Sequence, residues 1–321
     1  MIRDRARAAL VAVVAAGLSA CNMVAPEEPV AVPVVQPVPE PVPPADPDPK
    51  APSQTSKDLA VYYARVQSDL LTQGLLRTDG GGPDTPYTAD MVTRNFERIA
   101  LADEYARGRG LELSDGALGP VKKWQVPVRI TAEFGASVPL EQRQRDRASL
   151  KAYAARLARV TGHPIAMADS GANFHVLFMG EDDRPGVRGR IEALVPDVDR
   201  ASLSIIDSLP RSIHCLVIAF ADTPGGTAYG KAIALVRSEH PDLLRKSCIH
   251  EEVAQGLGLA NDSPYARPSI FNDDDEFALL TSHDEVLLKI LYDDRLQAGM
   301  SADTARPIVK DIVADLMGGT N

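Results

Sequence analysis

The sequence predicts an α+β fold, because segments with strand periodicity alternate with longer segments of helical periodicity. Apolar residues recur at every second position over residues 126–134, as expected for a half-buried strand. Residues 139–161 carry apolar side chains one helical turn apart, and Gly162 then provides a typical helix end. Thr281 and Asp284 form a capping box, which predicts that another helix starts there.

Residues 1–20 form a predicted signal peptide. Three arginines give it a positive start, and the apolar stretch over residues 8–18 is too short to be a transmembrane helix. The next segment, L-S-A-C, ends at Cys21 and resembles the lipobox of bacterial lipoproteins. The resemblance implies a lipid on Cys21 that anchors the protein to a membrane, and Asn22 favours the outer membrane, facing the periplasm. The alternative is an ordinary signal peptide with a chance cysteine.

Residues 21–56 form a predicted tether, because eleven of the 25 prolines of the chain lie between Pro26 and Pro52. Proline-rich chains are extended and semi-stiff, so this stretch is expected to hold a domain away from the membrane surface. The whole chain has 321 residues, is 45% hydrophobic and carries a formal net charge of -10. It can bury a core in one or two domains, and its acidity argues against a nucleic-acid partner.

Two regions follow the tether. Residues 57–118 are predicted to be a helical segment, with helices near 59–76 and 88–105 and a glycine-rich turn between them. Residues 119–321 are predicted to be one α+β domain. Its predicted strands are 126–134, 174–178, 215–220 and 232–236, and its predicted helices are 139–161, 241–258, 281–291 and one that contains 308–316.

The most informative motif begins at Glu251 and reads E-E-x-x-Q-x-x-G-x-x-N-D. It resembles the active-site pattern H-E-x-x-H-x-x-G-x-x-H of the metzincin zinc peptidases, including a trailing aspartate. In this alignment Glu252 takes the place of the general base and Gly258 that of the turn glycine. The three histidine positions carry Glu251, Gln255 and Asn261, and the trailing aspartate is Asp262.

The substitutions remove the ligands that zinc prefers. Zinc sites use imidazole or thiolate groups most readily, whereas Glu, Gln and Asn offer only oxygens or weakly donating amides. His250 lies about a quarter-turn away from Glu251 on the same helix, so it does not replace a missing ligand. No confident metal site and no cofactor follow from the motif.

Further segments are similar to the same fold and to a bacterial lipoprotein family of unknown function. Residues 269–271 occupy the place of the metzincin Met-turn, with Phe271 where the methionine stands. The similarity to the lipoprotein family covers most of residues 57–302, including S-I-F-N and L-Y-D-x-R-L-x-x-G-M. Together these resemblances imply a metzincin-like mixed sheet with an active-site-type helix, preceded by a short helical segment.

Cys215 and Cys248 remain once Cys21 is lipidated. In a metzincin-like arrangement the active-site helix packs against the sheet, and an oxidising compartment permits disulfides, so we expect a Cys215–Cys248 bridge. Two buried free thiols are the alternative.

Three functions remain open at this stage. The preferred hypothesis is an envelope lipoprotein whose catalytically degenerate metzincin-like domain binds a peptide, a protein or a glycan in the inherited cleft. The second is an unorthodox metallopeptidase with Glu252 as general base. Zinc would then be held by oxygens of Glu251, Gln255, Asn261 or Asp262, helped by His250. The third is a structural envelope scaffold.

Overall fold

The computed structural model describes residues 51–105, 112–207, 209–272 and 274–318. The predicted signal peptide, Cys21 and most of the predicted tether lie outside these residues. Among the described residues, no helix has the length and apolar character needed to cross a bilayer.

The fold is mixed α+β and is built on a six-stranded, mostly parallel sheet. The strands are β1 (Lys123–Trp124), β2 (Val128–Phe134), β3 (Ile165–Met167), β4 (Phe174–Met179), β5 (Cys215–Ala221) and β6 (Ala228–Arg237). Their order is β1-β6-β4-β2-β3, and β5 pairs with β6 in antiparallel orientation. The register aligns Val176 of β4 with Ala132 of β2 and with Ala234 of β6, which places small and β-branched residues at the centre of the sheet.

Eight α-helices occur in the described residues, together with a 3-10 turn at Glu181–Asp183. They are α1 (Gln54–Thr72), α2 (Ala89–Leu101), α3 (Leu140–Thr161), α4 (Arg184–Leu194), α5 (Arg200–Asp207), α6 (Asp242–Leu257), α7 (Ser282–Tyr292) and α8 (Ala302–Met317).

The helices cover both faces of the sheet. On one face α3 and α6 contribute buried residues such as Leu157 and Val253 to the main core, together with Val176 of β4. On the other face α4 and α5 form a smaller core with Leu177 of β4 and Leu235 of β6. Consecutive β4 residues therefore point to opposite cores, which explains why this strand is apolar on both sides.

Local sequence determines where several elements begin and end, as predicted. Gly162 follows α3 with φ 68, a left-handed conformation that favours glycine. Thr281 accepts a hydrogen bond from the backbone of Asp284 at the start of α7, and the predicted capping box is confirmed. The second strand begins at Val128 rather than at Val126, because Pro127 cannot donate a backbone hydrogen bond.

The first helix packs on the same compact unit as the sheet. It begins at Gln54, inside the range predicted as tether, with Ser53 as its N-cap. Its buried Tyr63 donates a hydrogen bond to the carbonyl of Arg211 at 3.0 Å. The Tyr63 ring also lies 4.3 Å from the ring of His240. The first helix thus contacts the segments that precede β5 and follow β6.

Candidate functional site

The helix α6 carries the motif and lies directly on the sheet. A Cβ atom on Gly256 would stand 2.5 Å from Phe174 Cζ, so only glycine permits this close packing. Gly258 ends α6 with φ 126, and a Cβ there would stand 2.6 Å from the carbonyl oxygen of Lys122. The turn glycine of the motif is therefore required by backbone conformation and by space.

A disulfide joins α6 to β5. Cys215 and Cys248 are bonded with their Cα atoms 5.8 Å apart, a normal separation, so the predicted bridge is confirmed. It connects the first residue of β5 to the turn of α6 immediately before Glu251. The sulfur of Cys215 is consequently unavailable as a thiolate.

The carboxyl group of Glu252, the candidate general base, is buried. Its side chain is only 3% exposed, and its Oε2 atom has no hydrogen-bond partner within the described residues. Burial raises the pKa of Glu252 well above its usual range, and the neighbouring charge of Glu251 raises it further. The charges of Glu104 and Asp262 act in the same direction. Glu252 therefore lies in an acidic cluster, where burial and the neighbouring carboxylates favour its protonated form.

Two other positions of the motif are also directed into the fold. Asn261 donates from its Nδ2 to the carbonyl of Arg98 at 2.9 Å, and from its backbone N–H to the carbonyl of Ile99 at 3.1 Å. Both carbonyls belong to the last turn of α2, where helices lack internal partners. Gln255 is 9% exposed and contributes to the same buried stretch of α6.

His250 lies apart from this cluster, as its helical position predicted. Its ring stacks on Tyr153 with centroids 3.9 Å apart, and its Nδ1 accepts a hydrogen bond from the backbone N–H of Leu280 at 3.1 Å. Burial lowers the pKa of His250 to about 3, with smaller contributions from Arg156 and Lys246. The ring is thus neutral, and its proton resides on Nε2 because Nδ1 acts as the acceptor.

Zinc does not fit this donor set. In the described part of the chain, the group of candidate ligand atoms lying within 4.8 Å of one another comes from Cys215, Glu251 and Glu252. Cys215 is in a disulfide, and burial raises the pKa of Glu252 and so opposes its ionised form, whereas zinc needs deprotonated ligands and prefers imidazole or thiolate. Glu251 alone among the three remains a plausible donor, which is too few for a tetrahedral site.

The turn that contains Phe271 is held by a buried carboxylate. Asp284 accepts hydrogen bonds from the Ser269 hydroxyl at 2.5 Å and from the Ile270 backbone at 3.1 Å. Phe271 itself is fully buried in the main core. The sequence identified Asp284 only as part of a capping box, although it also fixes this turn.

The strand β5 forms an open edge of the sheet beside α6. It pairs with β6 along one side, and no strand pairs with its other side in the described residues. Each residue from Cys215 to Phe220 is partly exposed, and the strand C-L-V-I-A-F-A contains no charged residue and no proline. Edge strands are normally protected by charges, prolines or covering segments, so the unpaired side of β5 is chemically able to pair with a further strand.

A groove lies on another side of α6, between α3 and α6. It has a volume of about 380 Å³ and is lined by residues that include His250, but not by Glu251, Glu252 or Gln255. Motif analysis did not predict this groove. The spacing of Asp242, Lys246 and His250 at four-residue intervals is the feature that could have placed a polar face there.

The model of a family described as "Protein of unknown function (DUF2927)" matches residues 89–311. The matched range includes β5, α3, α6 and the motif, and it agrees with the similarity to a family of unknown function. No curated protein and no solved structure matched the chain.

Proposed function

The chain belongs to the family of proteins of unknown function called DUF2927, and we propose that it is a non-catalytic binding protein that holds an extended peptide along the open edge of β5. In this proposal a lipid on Cys21 anchors the protein to the outer membrane, and the proline-rich segment carries the domain into the periplasm. The bare edge of β5 is the observation that carries the proposal.

The absence of catalysis is supported by the chemistry of the motif. A general base must reach the proton that it removes and must be ionised near the working pH. Glu252 is buried, and its pKa is raised by burial and by neighbouring carboxylates. Asn261 caps α2 and His250 stacks on Tyr153, so neither side chain is directed toward a metal ion beside Glu252.

A metzincin-like origin would account for the architecture. The order of elements is strand, long helix, strands and then the helix with the motif, which agrees with the resemblance of the sequence. Under this proposal the chain has kept the helix, the turn glycine and the neighbouring strand, and has lost the zinc ligands. A cleft that once positioned a substrate would then serve binding alone.

The chemistry of β5 favours a peptide over a glycan as the ligand. An edge strand offers a row of backbone N–H and C=O groups, which an extended peptide can pair with in the manner of an added strand. Leu216 and Phe220 pack against the smaller core, and Ile218 lies between them on the same side of the strand. Apolar, β-branched peptide residues therefore fit best beside this surface.

The test begins with selection of binders from a phage-displayed library of random linear heptapeptides on the purified full-length protein. The best peptide is synthesised with N-methyl groups on either its odd or its even amides. Alternate residues of a strand direct their N–H groups to opposite sides. One of the two methylated forms should therefore lose binding by about tenfold or more, and the other should keep it.

Ile218→Lys supplies the matching change in the protein. A charge at this position should block strand addition, and the affinity for the selected peptide should fall by about tenfold or more. Leu71→Lys is the matched control, because Leu71 is an exposed aliphatic residue on α1 and the change in charge is the same. Equal binding by both methylated peptides, or no effect of Ile218→Lys, would contradict the proposal. A wild-type dimer that Ile218→Lys converts to a monomer would assign the edge to self-association instead.

The metallopeptidase hypothesis remains the second candidate, motivated by the closely spaced carboxylates of Glu251 and Glu252. It requires Glu252 to become exposed and ionised. Stoichiometric zinc in the purified protein, with peptidase activity that Glu252→Gln abolishes, would establish it over the binding proposal.

A further inference from the structure

We propose that the groove between α3 and α6 is a second binding site, which takes a small anion of the phosphate or carboxylate type. This site is separate from β5 and does not depend on the peptide-binding proposal. Its volume of about 380 Å³ falls in the range of small-molecule sites.

The lining of the groove is positive although the chain as a whole is acidic. Four basic side chains and two acidic ones face it, which leaves a formal excess of two positive charges, against -10 for the protein. The basic residues are Arg145, Arg156, Arg245 and Lys246, and the acidic ones are Asp146 and Asp242. A cationic recess on an anionic surface concentrates small anions locally, while the overall charge repels long polyanions such as nucleic acids.

Two of the basic residues are already neutralised within the fold. Arg245 is 3% exposed, and its Nε lies 2.8 Å from a carboxylate oxygen of Asp146. Arg156 pairs with Glu285 at 2.8 Å. These pairs leave little charge on Arg156 and Arg245 for a ligand.

The two remaining basic residues, Arg145 and Lys246, are available to bind a ligand. Lys246 is exposed and has no acidic partner within ion-pair distance in the described residues. Arg145 approaches Glu141 and Asp242 only at 3.7 Å, in contacts that are weak at an exposed position. One ammonium and one guanidinium group therefore face the groove, and the carboxylate of Asp242 offsets one of them, which leaves one net positive charge for a small anion.

Neutral donors complete the site. The Oγ atom of Ser149 is buried and has no hydrogen-bond partner within the described residues, although its side chain lines the groove. His250 also lines the groove, and its Nε2 carries the proton because Nδ1 accepts from Leu280. A buried hydroxyl without a partner is costly, and a ligand oxygen would satisfy it.

The test is isothermal titration calorimetry of the purified full-length protein with inorganic phosphate and, separately, with succinate. Sodium chloride keeps the ionic strength constant in both arms. We expect saturable binding of at least one of the two anions, and the arm that binds identifies the class of ligand. Lys246→Gln should weaken this binding about tenfold, and Ser149→Ala about fivefold.

Lys310→Gln is the matched control, because Lys310 is an exposed lysine on α8 and does not line the groove. It should leave the affinity unchanged. Thermal melts of the three variants check that each is folded. The proposal is overturned if neither anion binds, or if Lys310→Gln weakens binding as much as Lys246→Gln does.

Discussion

The two sides of α6 differ in what their polar residues do. On the side of the motif, Glu252 is buried in an acidic cluster, Asn261 caps α2, and Cys248 is bonded to β5. On the side of the groove, Lys246 has no acidic partner and the Ser149 hydroxyl has no hydrogen-bond partner among the residues that the structure describes.

A sequence motif and a proposed binding site therefore need not coincide on the same helix. Polar residues that resemble a catalytic pattern can be retained because they stabilise the fold, and residues outside any pattern can supply the donors for a ligand. We therefore expect changes on the motif side to alter stability and changes on the groove side to alter binding.

Removal of the disulfide should cause the largest loss of stability. The bridge spans a sequence separation of 33 residues. In the chain-entropy model a loop of this length contributes about 4 kcal/mol, so Cys215→Ala with Cys248→Ala should lower the free energy of unfolding by that amount. Urea unfolding of the purified double variant measures the loss.

Reduction of the wild-type protein with dithiothreitol provides the control for the disulfide, and it should lower the stability by a similar amount. Two free thiols from Cys215 and Cys248 in the untreated, denatured protein would contradict the prediction that the disulfide stabilises the motif side of α6. The stability of the motif side would then have another origin.

Substitution of Glu252 by Gln should raise stability at neutral pH. The pKa of Glu252 is raised in the folded state above its ordinary value of 4.5, mainly by burial. The stability that this group contributes is present below pH 4.5 and is lost as the pH rises through the folded pKa. Gln mimics the neutral acid at every pH, so Glu252→Gln should exceed the wild type by about 1–2 kcal/mol at pH 8 and match it near pH 4.

Urea unfolding between pH 4 and pH 8 measures this difference. Glu251→Gln is the matched control, because Glu251 is only partly buried and its effect should be smaller. Elemental analysis of the same samples should find zinc well below one equivalent in the wild type. A Glu252→Gln variant that lost both bound zinc and stability at neutral pH would place Glu252 in a metal site.

Much of the fold could be predicted from the sequence because its local determinants are strong. Pro139 and Gly162 bound α3, the Thr281 capping box starts α7, and the predicted apolar runs became β5 and β6. The strand β3 was missed because three residues are too few to display a period, and α4 was missed because its two glycines lower helix propensity.

The candidate site could be predicted only in part, because burial and edge exposure are tertiary properties. The pattern from Glu251 to Asp262 identified the helix, and the two remaining cysteines with the expected packing of this helix on the sheet identified the disulfide. It could not indicate that Asn261 would bind the last turn of α2, which lies far away in the sequence. Nor could the composition of β5 indicate which of its two edges would remain unpaired.

The smallest predicted change in stability compares Asn261, on the motif side of α6, with Ser149, which lines the groove. Asn261 satisfies two carbonyl groups at the end of α2, and its side chain accounts for the bond to Arg98 at 2.9 Å. Asn261→Ala removes this donor and should lower the free energy of unfolding by about 1 kcal/mol, the net value of one hydrogen bond. Ser149→Ala removes a buried hydroxyl that has no partner in the described residues, so it should leave the free energy of unfolding unchanged or raise it. Urea unfolding of both variants under one set of conditions gives the comparison. Equal losses of stability from the two substitutions would mean that the Ser149 hydroxyl also stabilises the fold. An Asn261→Ala variant as stable as the wild type would contradict the structural role assigned to the motif.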